Sequence, residues 1–82
     1  MNVVLSPKAA KYLERLHDPT KSRIKSALKK LGQDPLQGDI KHMTGEGGFR
    51  LRVGKCRVLF DIEDGVIVVA DIDLRGQVYK GR

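Results

Sequence analysis

The chain has 82 residues and a single cysteine, with 40% hydrophobic and 32% charged residues. That size suits one domain over residues 1–82 with a small core, and the lone cysteine rules out an internal disulfide. No apolar run is long enough for a membrane span and residues 1–16 lack the apolar stretch of a signal peptide, so a cytoplasmic protein is expected. The net charge of +6 is uneven: residues 1–33 hold eight Lys/Arg against Glu14 and Asp18, a net +6, whereas residues 34–82 hold eight basic and eight acidic residues, a net of zero.

Residues 2–5 form a short apolar run that reads as a strand. Ser6-Pro7 supplies an N-cap followed by Pro at the first helical position. The helix it starts runs to about His17, with Ala9, Tyr12, Leu13 and Leu16 on one face. Asp18-Pro19 repeats the signal for a second helix, in which Ile24, Ala27, Leu28 and Leu31 keep helical spacing and Gly32 is the expected C-cap. The short join makes the pair an antiparallel hairpin. Lys8, Lys11, Arg15, Lys21, Arg23, Lys25, Lys29 and Lys30 decorate it. One-sided charge of this kind is either an ordinary wet surface or a landing surface for RNA, and its single sign favours the landing surface. Nucleic acid or an acidic protein is the natural partner.

Residues 33–48 read as a long loop, with Pro35, Gly38, Gly45, Gly47 and Gly48, and long loops are often functional. His42 and Glu46 lie in it. A lone loop histidine is most often solvated, so neither is assigned a role.

Residues 49–62, FRLRVGKCRVLFDI, alternate apolar and basic residues on either side of Gly54-Lys55. A two-residue, Gly-first connection predicts a β-hairpin with a type II′ turn. Val53 then pairs with Cys56, Arg52 with Arg57, Leu51 with Val58, and Phe49 with Phe60. One face carries Phe49, Leu51, Val53, Cys56, Val58 and Phe60; the other carries Arg50, Arg52 and Arg57. This places Cys56 in the core as a small hydrophobe. Like charges directly opposite each other destabilise a sheet by about 0.2–1 kcal/mol per pair. Such a face either keeps the sheet soluble or holds a polyanion, and arginines facing one another favour the polyanion.

Glu63-Asp64-Gly65 signals a second turn. Residues 66–72 are almost continuously apolar, as in a central strand covered on both sides. A simple two-residue turn would put Asp71 on the core side, so a bulge or a different loop length is expected. Arg75-Gly76 turns the chain, and residues 77–80 form a last short strand carrying Tyr79. The predicted class is α+β: an N-terminal strand and a helical hairpin on a mostly antiparallel sheet.

Three stretches, LHDPTKSRIKSALKKLGQDPLQGDIKHMTG, GFRLRVGKCRVLFDI and LRGQVYK, together resemble the RelE/ParE superfamily of bacterial and archaeal toxins, and more closely its RelE-like branch. The resemblance covers nearly the whole chain and is most specific in the RLRVGxxRVLF hairpin and the later R-x-x-VY. It implies a helical hairpin on a curved antiparallel sheet. It also implies a toxin of a type II toxin–antitoxin system. The RelE branch cleaves messenger RNA in the ribosomal A site, and the ParE branch poisons DNA gyrase. The implied partners are a cognate antitoxin (acidic, folding on contact), the ribosome with its mRNA, and operator DNA reached only through the antitoxin complex. No membrane, metal or cofactor is implied, and neither Cys nor His stands at metal-ligand spacing.

Carried over by position, Arg57 matches the arginine that stabilises charge on the scissile phosphate. Arg50 and Arg52 match basic positions on the preceding strand that contact the RNA backbone, Arg52 closest to the reaction. Tyr79 matches a tyrosine that stacks on or orients a nucleotide, and Arg75 a basic residue before it. Lys25 and Lys29 would add RNA contacts from the helices. The implied reaction is attack of a ribose 2′-hydroxyl on its own 3′ phosphate, leaving a 2′,3′-cyclic phosphate. It requires in-line positioning, a proton acceptor and a cationic cradle. The chain departs from the pattern at the acceptor. The best-studied ribosome-dependent member carries lysines at the positions of Arg50 and Arg52, and arginine does not deprotonate. Many relatives have histidine where this chain has Leu74. Tyr79, Asp73, Glu46 and the ribosome's own groups remain as acceptors. Three activities follow from the resemblance: a ribosome-dependent endoribonuclease, a non-nucleolytic toxin acting on gyrase, and a catalytically decayed antitoxin-binding module.

Overall fold

The computed structural model describes residues 1–33, 40–42 and 48–74. Its elements are β1 (Asn2–Leu5), α1 (Pro7–Arg15), α2 (Thr20–Gln33), β2 (Ile40–His42), β3 (Phe49–Val53), β4 (Cys56–Glu63) and β5 (Val66–Leu74). The strands form one sheet in the order β1-β5-β4-β3-β2. Every neighbouring pair is antiparallel except β1 and β5, which run parallel. The helical hairpin covers one face: Ala9, Leu13, Ile24, Leu28 and Leu31 pack on Leu51, Cys56, Val58, Phe60, Ile67, Val69 and Ile72.

The hairpin has the expected register, with Val53↔Cys56, Arg52↔Arg57, Leu51↔Val58 and Phe49↔Phe60. Gly54 has φ +59° and Lys55 a negative φ, the signature of a type II′ turn, which only glycine adopts at its first position without strain. The next turn differs in kind. Asp64 and Gly65 both take positive φ, as a type I′ loop requires.

That tight turn pairs Glu63 with Val66 and keeps a regular ladder up to Phe60↔Val69, after which Leu59 pairs with Asp71. Ala70 is the extra residue of a β-bulge, so Val69 and Ile72 both point at the helices while Asp71 and Asp73 fall on the opposite side. Of the two irregularities the sequence left open, a bulge or a different loop length, the strand takes the bulge, and Asp71 leaves the core side. Ser6 ties this point to α1. Its Oγ accepts from Ala9 N at 3.1 Å, capping the helix, and donates to Ala70 O at 2.7 Å. Its backbone N donates to Val69 O at 2.9 Å. Ser6→Ala removes both the cap and the bulge carbonyl's partner, so a loss of at least the about 0.5–2 kcal/mol of a lone cap is expected, read as a lowered urea midpoint. An unchanged midpoint would show that Ser6 holds neither.

Four details differ from the sequence reading. α1 ends at Arg15, with Leu16 as C-cap, rather than near His17. Gly32 lies inside α2, not at its C-cap; a Cβ there would sit 2.9 Å from Met1 O and 3.2 Å from Val3 Cγ2, so glycine permits the close approach of β1. The stretch read as one loop contains β2, whose three residues carry too little alternation to announce a strand. β5 is paired along its edges, yet only its helix-facing side is covered among the described residues: Ile67 and Val69 are buried, Val66 and Val68 half-buried.

At the start of α2, Asp18 Oδ1 accepts from Ser22 N at 3.1 Å and Ser22 Oγ at 2.6 Å. These bonds hold the Asp18 carboxyl below its ordinary pKa. A depressed folded pKa means the group stabilises the fold above its unfolded pKa, about 3.9, and the contribution is lost as pH falls through the folded value. The urea midpoint of Asp18→Ala should therefore lie below wild type at neutral pH and approach it under more acidic conditions. A gap independent of pH would contradict this.

Candidate functional site

The sheet face opposite the helices carries the polar residues of β2, β3, β4 and β5. Because directly opposed residues share a face, the pairings define rows across the strands. One row is Lys41, Arg50, Leu59 and Asp71; a second is Arg52, Arg57 and Asp73; further along β4, Asp61 opposite Val68 and Glu63 opposite Val66 lie on the same face. The structure therefore brings Arg50, Arg52 and Arg57 together, as the sequence predicted, and adds Lys41. This lysine escaped the sequence reading because its place depends on β2, and its only signal was a basic residue next to an isolated apolar Ile40.

Arg57 is not held apart from acids. Its Nε donates to Asp73 Oδ1 at 3.1 Å and its Nη2 to Asp73 Oδ2 at 3.3 Å. The pair is bidentate and both side chains are largely enclosed, with 16% and 25% exposure. The carboxylate fixes the plane of the guanidinium and offsets the Arg52–Arg57 repulsion across the hairpin. The hairpin sequence holds a single acid, Asp61; the partner of Arg57 comes from β5, and the bulge at Ala70 puts it there. Were Ala70 paired in a regular ladder instead of bulged out, Ile72 would stand opposite Arg57. Asp71 Oδ2 lies 3.5 Å from Lys8 Nζ, an ion pair whose lysine is 77% exposed and which adds little to stability.

Behind Asp73 lies a cleft between α1 and the end of β5, lined by Lys8, Lys11, Tyr12, Arg15, Asp71, Ile72 and Asp73. Burial pushes the Tyr12 phenol up from its ordinary pKa, and Cys56 and Asp73 nearby add to the rise. Burial likewise raises the Cys56 thiol, with Asp73 contributing, so this cysteine stays a protonated core residue and no nucleophile. His42 pairs with Phe49 and its ring meets the Phe49 edge at 5.1 Å, while Phe49 stacks on Phe60 at 5.3 Å. It is thus a strand residue on the side away from the arginines, not a loop histidine.

Lys25 and Lys29 sit on α2, in the layer on the other side of the sheet from Arg50, Arg52 and Arg57. Tyr79, Arg75 and Glu46 lie outside the described residues, as does the strand expected at 77–80. Among the described residues there is no cluster of His, Cys, Asp or Glu able to hold a metal ion, and no helix is long and apolar enough to cross a membrane.

Comparison with known proteins bears on this arrangement. Residues 3–79 match the family described as ParE toxin of type II toxin-antitoxin system, parDE. No curated protein matches the chain by sequence. Among solved structures, a chain of the toxin-antitoxin complex RelBE2 from Mycobacterium tuberculosis is 25% identical with a TM-score of 0.78, over 90% of this chain and 96% of that one. A chain of the archaeal RelE-RelB complex from Pyrococcus horikoshii is 24% identical with a TM-score of 0.77, over 93% and 96%. The YoeB/ParE toxin from Agrobacterium tumefaciens is 14% identical, with a TM-score of 0.78 over 90% and 98%. The two-helix, five-strand α+β fold is thus the fold of RelE-like toxins.

Proposed function

The chain belongs to the ParE toxin family of type II toxin–antitoxin systems, within the RelE/ParE/YoeB superfamily, and from that premise we propose that it is the toxin that cleaves messenger RNA on the ribosome. The observation that carries this reading is the in-register cluster of Arg50, Arg52 and Arg57 on a sheet face that the helices leave uncovered. Cleavage by an internal 2′-hydroxyl asks the protein for positioning and for stabilisation of charge on the phosphate, and fixed cations supply both. Arg57, oriented by Asp73, takes the scissile phosphate. Arg52 and Arg50 hold the adjacent backbone. Tyr79 orients a nucleotide and Arg75 adds a phosphate contact, both from the C-terminal segment. Lys25 and Lys29, on the helix layer, meet ribosomal RNA rather than the strand being cut. A cognate antitoxin is the second partner, as in the RelE-RelB and RelBE2 complexes the fold resembles. Its chemistry is acidic, to suit a +6 chain. Both associations take place in the cytoplasm.

A second reading is favoured by one departure. The face positions of Arg50 and Arg52 carry no group that can accept a proton, and a toxin that acts on DNA gyrase needs none. Induced expression in a bacterium separates the two. Rapid arrest of translation supports the nuclease; an SOS response with filamentation supports the gyrase reading; normal growth supports a decayed antitoxin-binding module and contradicts both.

A further inference from the structure

Charge on the sheet face away from the helices is polarised, among the described residues. The cations Lys41, Arg50, Arg52 and Arg57 belong to β2, β3 and the start of β4; the carboxylates Asp71 and Asp73 of β5 border them on one side, and Asp61 and Glu63 further along β4 border them on another. Lys41 stands directly opposite Arg50 on the edge strand and is exposed, as is Arg52. A phosphate chain laid over this face is attracted along β2 and β3 and repelled at β5 and at the Asp61–Glu63 end of β4. Arg57 is the boundary, since its guanidinium is shared with Asp73.

We propose that Lys41 is the outermost RNA contact of the site: a single strand enters over the β2 edge, passes Lys41, Arg50 and Arg52, and has its scissile phosphate stopped at Arg57 by the β5 carboxylates. The inference rests on the nuclease reading and adds to it a fourth cation and a direction of approach. Two particulars support it. Lys41 and Arg50 are like charges in direct opposition, an arrangement that destabilises a sheet unless an anion lies between them. Their row then meets Leu59 before Asp71, so its positive charge ends before β5. A lysine on an edge strand also discourages edge-to-edge pairing, but that role has no dependence on RNA or on salt.

The test is binding of the purified full chain to a short single-stranded RNA made uncleavable by 2′-O-methyl groups, measured over a series of salt concentrations. Each phosphate contact to a single strand contributes about 0.7 to the slope of log K against log salt. Lys41→Ala should lower the slope by about 0.7 and weaken binding at low salt, as Arg50→Ala does. Lys41→Arg should restore both. Lys30→Ala, an equal charge change on the exposed helix layer, should leave the slope at the wild-type value. The proposal fails if Lys41→Ala keeps the wild-type slope while Arg50→Ala lowers it, or if Lys30→Ala lowers it as much as Lys41→Ala. A wild type that does not bind the RNA at all removes this inference together with the nuclease reading, whereas the first outcome leaves that reading standing.

Discussion

Arg57→Ala is expected to reduce mRNA cleavage by about 10²–10³-fold, which corresponds to the roughly 2.7–4 kcal/mol lost when one preorganised donor to a developing oxyanion is removed. Toxicity on induction should largely disappear. The side chain lies on the face away from the core, so the hydrophobic packing of Cys56 and Val58 on either side of it is untouched. What changes structurally is Asp73, which loses the bidentate partner seen here. Because Asp73 remains a quarter exposed, water reaches its carboxylate and the fold should survive. Two companions separate chemistry from folding. Arg57→Lys keeps the charge but not the planar fork, so it should fold normally and recover only part of the activity. Asp73→Asn keeps the shape of the carboxylate but loosens the guanidinium, and should lower cleavage by less than Arg57→Ala. Normal folding of Arg57→Ala with full cleavage would place the site elsewhere on the molecule.

The largest expected effect on stability is at Ile72, which is 1% exposed and pairs with Val58, itself fully buried. Ile72→Ala leaves a cavity between β4, β5 and α1 and should cost about 2–5 kcal/mol. A domain of this length has a total stability on the order of 4–12 kcal/mol, at roughly 0.05–0.15 kcal/mol per residue, so the loss is a large fraction of what holds the fold. The residue also selects the register. Its place in the core is what makes the strand bulge at Ala70 and brings Asp73, rather than residue 72, opposite Arg57. Deleting Ala70 itself should be milder: Val69 would still face the helices, Asp71 the open side, Ile72 the helices and Asp73 Arg57, now in a regular ladder. Urea denaturation of both variants checks the order. A deletion more destabilising than Ile72→Ala would mean that the bulge, with its Ser6 bond, matters more than the buried isoleucine.

These results also mark how far the sequence alone reaches. The hairpin register was legible because Gly54-Lys55 leaves one two-residue turn, and a two-residue turn fixes every pair that follows. A bulge or a different loop length was legible because Asp71 and Asp73 contradict the apolar run before them. The partner of Arg57 was not, since it depends on counting residues through that bulge and across two strands. Lys41 was hidden for a related reason: three residues, IKH, show no period, and their pairing with β3 is a tertiary fact. Gly32 was misjudged because a glycine near a helix end has the same sequence signature whether it caps the helix or admits a neighbouring backbone; here the neighbour is β1, twenty-nine or more positions earlier in the chain. The family resemblance reached the fold and the toxin class, which residues 3–79 bear out.

The central claim, that the arginine face cuts messenger RNA on the ribosome, is tested most directly by primer extension on mRNA from cells in which the chain is induced. Wild type should produce new 5′ ends within translated regions, and Arg57→Ala, at equal protein level, should not. An absence of new ends with wild type, in cells whose growth nonetheless stops, would contradict the nuclease reading and leave gyrase as the target.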